Sequence, residues 1–348
     1  MLKSKDRKDC LRGIRYSASL VISCGLLLAL SPIALIGQNV RIIIENSSDL
    51  AQWETLHTET VSSDLEKNFY RAKIETILPT LSSTTLEVTQ SWSQETDYAR
   101  LAYVEVPTTD SDRYPVLILL HGFGGNPLAM MNHYAHYSNH IRIALAGYQF
   151  GDQRSWNIGY EPSKADDIAF LRAILGQLKN YSNVDSSNIT LLGTSNGAAL
   201  VNKAIVELPI DTFQKAVTIA SGLIEDQYRD DQFWYDPNQL NNYNTTITPA
   251  LGRKIINFHG TNDSVVPYEG GLALGRTFWS AQESTYIYAR AMGYNGPQLS
   301  QGTAITGTSL LKYSYLDDSV IHYEAIGDNH SLSQSSQIMQ TIIENFIN

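Results

Sequence analysis

The chain has 348 residues, of which 43% are hydrophobic and 17% charged, with a formal net charge of −10. That composition supplies a sizeable core and excludes a disordered chain, while the acidic balance, with no long basic run beyond the N-terminus, excludes nucleic acid as a partner. Two cysteines, Cys10 and Cys24, exclude a disulfide scaffold and a Cys-ligated zinc site in the main body.

The first fifteen residues carry Lys3, Lys5, Arg7, Lys8, Arg12 and Arg15, whereas residues 16–37 carry no charge. A basic start followed by an apolar stretch is the pattern of a cleaved export signal, and the stretch is also long enough for an uncleaved membrane anchor. Small residues at Ala29-Leu30-Ser31 suit a peptidase, but Pro32 follows them. The expectation is a protein that is secreted, periplasmic or tethered to the outer face of a membrane through residues 16–37.

Residues 38–83 form the next division. Val40, Ile42 and Ile44 alternate as on a strand. The S-x-D-L-x-x-W start at Ser47–Trp53 and the Phe69-Tyr70-Arg71 end resemble a small β module found in many secreted bacterial proteins. That resemblance implies an appendage or a surface-binding spacer and no chemistry. Pro79, Ser82 and Ser83 mark a linker over 79–83.

From residue 84 to 348 the pattern alternates strands and helices. Thr84–Trp92 and Tyr98–Val106 read as a hairpin around residues 93–97. Val116–Leu120 and Ile141–Ala146 are short apolar runs. Residues 163–179 read as a helix capped by Ser163, with Asp166 completing a capping box and Ile168, Leu171, Leu175 and Leu178 on one face. Ile189–Leu192 is a strand and Ala198–Leu208 a helix. Ala216–Ala220, Ile255–Phe258 and Val320–Ala325 read as strands, and Gln337–Phe346 as the last helix. Such alternation predicts an α/β fold, with a mostly parallel sheet covered by helices on both faces and its site at the carboxyl ends of the strands.

The chemistry falls at those ends. Gly193-Thr194-Ser195-Asn196-Gly197 is G-x-S-x-G between a predicted strand and a predicted helix. A sharp strand-to-helix turn there exposes Ser195 as a nucleophile and aims the helix N-terminus at developing negative charge. A serine hydroxyl needs a base, and in this arrangement the acid and then the histidine follow in chain order. Asp263 and His330 each follow a predicted strand in that order, with Asp328, Asp317 and Asp318 as rival acids. Oxyanion donors are the backbone N–H of Asn196 and an N–H of the 121–124 segment, Phe123 or its rival Gly124. His121 lies in the wrong chain order for the base.

Residues 84–348 also resemble the extracellular α/β-hydrolase esterases that group polyhydroxybutyrate depolymerases with feruloyl and acetylxylan esterases. The motifs are HGFGGN, WNIG followed by ADDIAFLRAIL, NVDSSNITLLGTSNGAAL, HGTNDSVVPY and GDNH, in that order. The resemblance implies a triad of Ser195, Asp263 and His330, with an oxyanion loop at HGF. It implies a serine ester hydrolase with no cofactor and no metal, acting on carbohydrate-linked acetyl or feruloyl esters or on a polyester. A serine peptidase and a catalytically silent surface-binding protein are the alternatives. The chain departs from the family in having Gly159-Tyr160-Glu161 where many members place cysteine, and GDNH in place of a glycine-rich histidine loop.

Three aromatic residues are candidates for substrate contact. Trp156 sits where the family lines its entrance, with core packing as the alternative. Phe233 and Trp234 lie in an aromatic insertion over 224–250 that could stack on a sugar or aryl ring or simply cover the domain. Asp166 and Asp167 read as helix-capping residues, and His133, His136 and His140 as a solvated face of one helix.

Overall fold

The computed structural model describes residues 78–90, 98–159, 165–238 and 240–348, together with strand backbone between residues 16 and 77. The predicted turn at 93–97, Ser163 and the Tyr160-Glu161 departure lie outside the described residues. The chain divides into two compact units, Met1–Thr80 and Leu81–Asn348. In the first, Asn39–Ser47 pairs antiparallel with Phe69–Ile77, so Val40, Ile42 and Ile44 do lie on a strand. Leu20–Ser23, Leu26–Leu28 and Glu54–Leu56 complete a five-stranded sheet. Among the described residues no helix is long and apolar enough to cross a membrane.

The second unit is built on a ten-stranded sheet. Its strands are β1 (Thr84–Gln90), β2 (Tyr98–Glu105), β3 (Tyr114–Leu120), β4 (Ile141–Leu145), β5 (Val184–Thr194), β6 (Lys215–Ile219), β7 (Lys254–Gly260), β8 (Thr303–Ala304), β9 (Leu310–Tyr315) and β10 (Val320–Ala325). The spatial order is β8-β9-β10-β7-β6-β5-β3-β4-β2-β1. The six strands from β4 to β10 in that order are parallel, and the antiparallel pairs are confined to the two ends. The helices are α1 (Pro127–His133), α2 (Asp167–Leu178), α3 (Asn196–Glu207), α4 (Ala281–Ala291) and α5 (Ser336–Ile347). This is the α/β-hydrolase arrangement, with a mixed sheet whose G-x-S-x-G turn follows β5.

The strands read as continuous apolar runs because both faces are covered. Successive side chains alternate between two cores. Val116, Ile118 and Leu120 of β3 join a core with Leu171 and Leu175 of α2, Leu200 and Ile205 of α3, and Ile287 of α4. Leu117 and Leu119 point the other way, toward Met130 of α1 and Met339 and Ile343 of α5. Of the twelve residues of α3, eleven are buried, Asn202 and Lys203 included. Leu81, read as linker, is buried and exchanges hydrogen bonds of 2.8 and 3.0 Å with the Asn183 side chain.

Several sequence expectations change. The cap of α2 is Asp166 itself, whose carboxylate accepts from the Ala169 N–H at 2.8 Å. Asp167 is no cap: it is buried and ion-paired to Arg100 at 2.5 Å. Helix α1 stops at His133, so His136 and His140 do not share a helical face with it. His140 is buried rather than solvated, and burial lowers its pKa to about 4. Among the described residues no cluster of His, Cys, Asp or Glu is arranged to hold a metal ion.

Candidate active site

Ser195 stands between β5 and α3 with φ 52° and ψ −119°, in left-handed backbone that costs a non-glycine residue of order 1–3 kcal/mol. Its neighbours make the turn possible. A Cβ on Gly193 would lie 2.3 Å from the Gly197 carbonyl oxygen, and one on Gly197 would lie 2.1 Å from the Leu120 carbonyl oxygen. Only glycine fits at either position, which ties the G-x-S-x-G spacing to the close approach of β3 and α3.

The turn delivers Ser195 to His330. His330 Nε2 lies 2.9 Å from Ser195 Oγ, and His330 Nδ1 lies 2.7 Å from Asp263 Oδ2. A neutral imidazole protonated on Nδ1 satisfies both contacts: Nδ1–H donates to the carboxylate, and Nε2 accepts from the hydroxyl. The structure therefore brings together the three residues read as a triad, from the ends of β5, β7 and β10.

Asp263 is buried and accepts four hydrogen bonds. Oδ1 takes the N–H groups of Val265 and Val266 at 2.8 and 2.9 Å, and Oδ2 takes His330 Nδ1–H and, at 3.2 Å, His259 Nε2–H. Burial by itself would raise its pKa, but donation from His259, His330 and the two backbone N–H groups outweighs it and holds the carboxyl well below the usual range.

Asp328, the rival acid, has another role. It is fully buried, and its carboxylate accepts from the Gln334 and Ser335 N–H groups at 2.9 and 3.0 Å, which braces the loop that carries His330. The same loop is bound to the acid loop, since the Asn262 N–H donates to the Asp328 carbonyl at 2.8 Å. Asp317 and Asp318 sit on the turn between β9 and β10, and Asp318 pairs with Lys312.

The 121–125 segment lies against Ser195: a Cβ on Gly122 would be 3.5 Å from Ser195 Cβ. The rival donor Gly124 is committed, because its N–H donates to the Arg154 carbonyl at 2.7 Å. The Phe123 N–H is oriented indirectly. His121 Nδ1 lies 2.7 Å from the Gly122 carbonyl oxygen, the Gly125 N–H donates to the same oxygen at 3.0 Å, and His121 Nε2 accepts from the Gly147 N–H at 3.0 Å. A planar trans peptide then points the Phe123 N–H away from that fixed carbonyl. Burial lowers His121 to about pKa 4, so it serves as a neutral brace.

The three aromatic candidates are corrected. Trp156 is fully buried, and its indole N–H donates to the His121 carbonyl at 2.7 Å. Its backbone N–H donates to Asn196 Oδ1 at 2.7 Å, and its carbonyl accepts from Asn196 Nδ2 at 3.0 Å. Trp156 therefore supports the site from behind and has no open face for substrate. Phe233 is 6% exposed and packs against Tyr228 and Tyr288. It borders a cavity of about 430 Å³ whose lining includes none of Ser195, Asp263 and His330. Trp234 donates its indole N–H to the Arg229 carbonyl and lies 4.3 Å beneath the Arg229 guanidinium. The insertion folds as a small sheet of Tyr228–Arg229, Gln232–Tyr235 and Thr245–Ile247, so its aromatics cover the domain. Phe123, 54% exposed in the 121–125 segment, offers an aromatic face to solvent.

No family model matches the chain. A curated relative, feruloyl esterase B from Piromyces equi, is 28% identical over 162 residues, which is 44% of this chain and 27% of that protein. The match thus spans about a quarter of the relative's length. Among solved structures, Thermogutta terrifontis esterase 2 aligns with 76% of this chain and 93% of its own at 16% identity and a TM-score of 0.49. The acetyl xylan esterase of Aspergillus awamori aligns with 75% and 99% at 14% identity and a TM-score of 0.48. The Bacillus cereus carboxylesterase aligns with 72% and 95% at 16% identity and a TM-score of 0.43.

Proposed function

We propose that the chain is a serine ester hydrolase acting through an acyl-enzyme. The observation that carries the proposal is the continuous hydrogen-bonded series from Asp263 through His330 to a left-handed Ser195. His330 takes the Ser195 proton as Oγ attacks the ester carbonyl, and Asp263 stabilises the imidazolium. The tetrahedral oxyanion lies between the N–H of Asn196, at the start of α3, and the N–H of Phe123, each donor contributing about 10²–10³ in rate. His330 then protonates the departing alkoxide. Water, deprotonated by the same imidazole, releases the acid and restores Ser195.

The substrate proposed is an acetyl or feruloyl ester on polysaccharide, or a polyester. It is supported by the motif series and by partial identity to a feruloyl esterase. Export, with cleavage or membrane tethering through residues 16–37, is supported by the charge pattern of the first 37 residues and is tested by sequencing the N-terminus of the mature protein.

The test is hydrolysis of p-nitrophenyl acetate and butyrate by the purified protein beside Ser195→Ala. A loss of about 10⁴–10⁶ in kcat for the variant supports the nucleophile and justifies screening feruloyl, acetylxylan and polyester substrates. Equal activity in both proteins, or none in folded protein, sinks the proposal.

A further inference from the structure

The carboxylate of Asp263 meets two imidazoles. His259 lies at the end of β7, four residues before Asp263, and its side chain is 1% exposed. Its Nε2 stands 2.8 Å from the Val266 carbonyl oxygen and 3.2 Å from Asp263 Oδ2. Both partners are acceptors, so Nε2 carries the proton and shares it between them. Its Nδ1 is buried with no hydrogen-bond partner among the described residues, so a second proton would have no acceptor there.

The surroundings fix this ring. Tyr268 meets it edge-on at 5.9 Å between ring centroids. From β10, His322 is bound on one side to Asn257 Oδ1 at 2.8 Å and on the other to the Tyr268 hydroxyl at 3.0 Å. Asn257 in turn donates to Thr218 Oγ1 at 2.9 Å on β6. Of the remaining acids on this side, Asp328 accepts from two backbone N–H groups and Glu269 is exposed, while Glu324, opposite His259 in the β7–β10 register, accepts from the Tyr313 hydroxyl. The titratable groups around His259 are thus Asp263, His330, His322, Tyr268 and Glu324.

We propose that His259 is a positioning residue that acts on His330 through Asp263, holding the carboxylate and its turn so that Oδ2 meets His330 Nδ1. The proposal rests on the triad of the preceding section. A carboxylate held on Oδ1 by two backbone N–H groups and on Oδ2 by a second imidazole keeps one orientation toward His330 Nδ1. Removing His259 therefore lets the carboxylate shift away from His330, and kcat falls while KM holds. The same ring holds the Val266 carbonyl, so it also keeps the Asp263 turn closed.

The test is kcat and KM for p-nitrophenyl acetate in the full chain, His259→Phe and His259→Gln, beside the Nδ1–H proton resonance of His330, assigned by its loss in His330→Gln. In the Phe variant kcat falls about 3–10-fold, the worth of one hydrogen bond, with KM little changed, and the His330 Nδ1–H resonance moves, while Gln, which keeps an N–H donor, restores most of both. An unmoved resonance in the Phe variant overturns the proposal, whatever happens to kcat. The spectrum needs no turnover, so a protein that fails to hydrolyse esters ends the esterase proposal and leaves this one decided by NMR. Should the variants not fold, the wild-type spectrum decides: His259 must carry its proton on Nε2, and a His259 that carries it on Nδ1 alone overturns the proposal.

Discussion

Asn196→Ala isolates the brace behind the oxyanion site. The Asn196 side chain is buried and bonds both polar groups of the Trp156 backbone, at 2.7 and 3.0 Å. Truncation leaves a buried N–H and a buried C=O without those partners, at about 1–3 kcal/mol each. A loss of about 2–6 kcal/mol corresponds to a fall in Tm of about 4–11 °C for a domain of this size. The backbone N–H of residue 196 survives the substitution, so the oxyanion donor is displaced rather than deleted. We therefore expect kcat to fall about tenfold, less than the cost of losing a donor outright. Asn196→Asp keeps an acceptor for the Trp156 N–H but sets a carboxylate against the Trp156 carbonyl. It should be at least as destabilising at pH 8 and recover partly as the acid protonates. Differential scanning fluorimetry and p-nitrophenyl acetate kinetics read both quantities. An Ala variant with unchanged Tm and kcat would refute the bracing role of this pair.

Three further outcomes follow from the buried polar groups. Asp167→Ala removes the carboxylate paired with the buried Arg100 guanidinium, which lies 4.2 Å over the Phe170 ring in the core; the loss should be about 3–5 kcal/mol by urea unfolding. Burial drives the Asp167 carboxyl upward against the pull of Arg100, so Asp167→Asn should cost less than Ala. Asp328→Ala frees the Gln334 and Ser335 N–H groups and loosens the His330 loop; kcat should fall by about 10–100-fold with KM less affected. A variant of full activity would show that the loop is held by other contacts. Burial depresses His121 and His140 to about 4 and His322 to about 3, in the last case with His259 adding to the effect. Below the unfolded value of about 6.5 the unfolded chain binds protons that these folded sites refuse, so stability declines as pH falls from there toward 4. Each histidine contributes up to about 1.4 kcal/mol per pH unit, which urea midpoints at pH 7, 6 and 5 would register. Asp263 has the opposite sense: its depressed carboxyl adds stability above about pH 3.9 that is lost only in stronger acid.

The strands with both faces covered were legible because nothing else produces short, unbroken apolar runs; Val320–Ala325 is found at the predicted residues. So were Ser195, Asp263 and His330, because each follows such a run. Strand β5 begins at Val184, five residues before its apolar part, because Asp185-Ser186-Ser187-Asn188 carries turn-forming side chains on strand backbone. Helix α4 was missed for the opposite reason. It buries Ser284 and Thr285 alongside Ile287 and Tyr288, which breaks the apolar period. The strand next to the edge, β9, reads L-L-K-Y-S-Y and shows only weak alternation. The misplaced aromatics share one cause. An aromatic near a glycine-rich motif looks the same whether it faces substrate or, like Trp156, turns its indole N–H onto a loop carbonyl. His259 carried a signal in its H-G-x-x-D spacing, but only folded geometry shows that its ring returns to the carboxylate four residues on.

The near-complete burial of α3 divides the triad by local stability. Ser195 opens a helix whose amides should be among the last in the molecule to exchange with solvent, whereas His330 rides a loop with a quarter of its side chain in water. Transient opening of that loop separates base from nucleophile while the sheet and α3 stay intact. Mild denaturant should therefore abolish turnover before it melts the fold, and on dilution activity should return at the speed of a closing loop rather than that of a refolding domain.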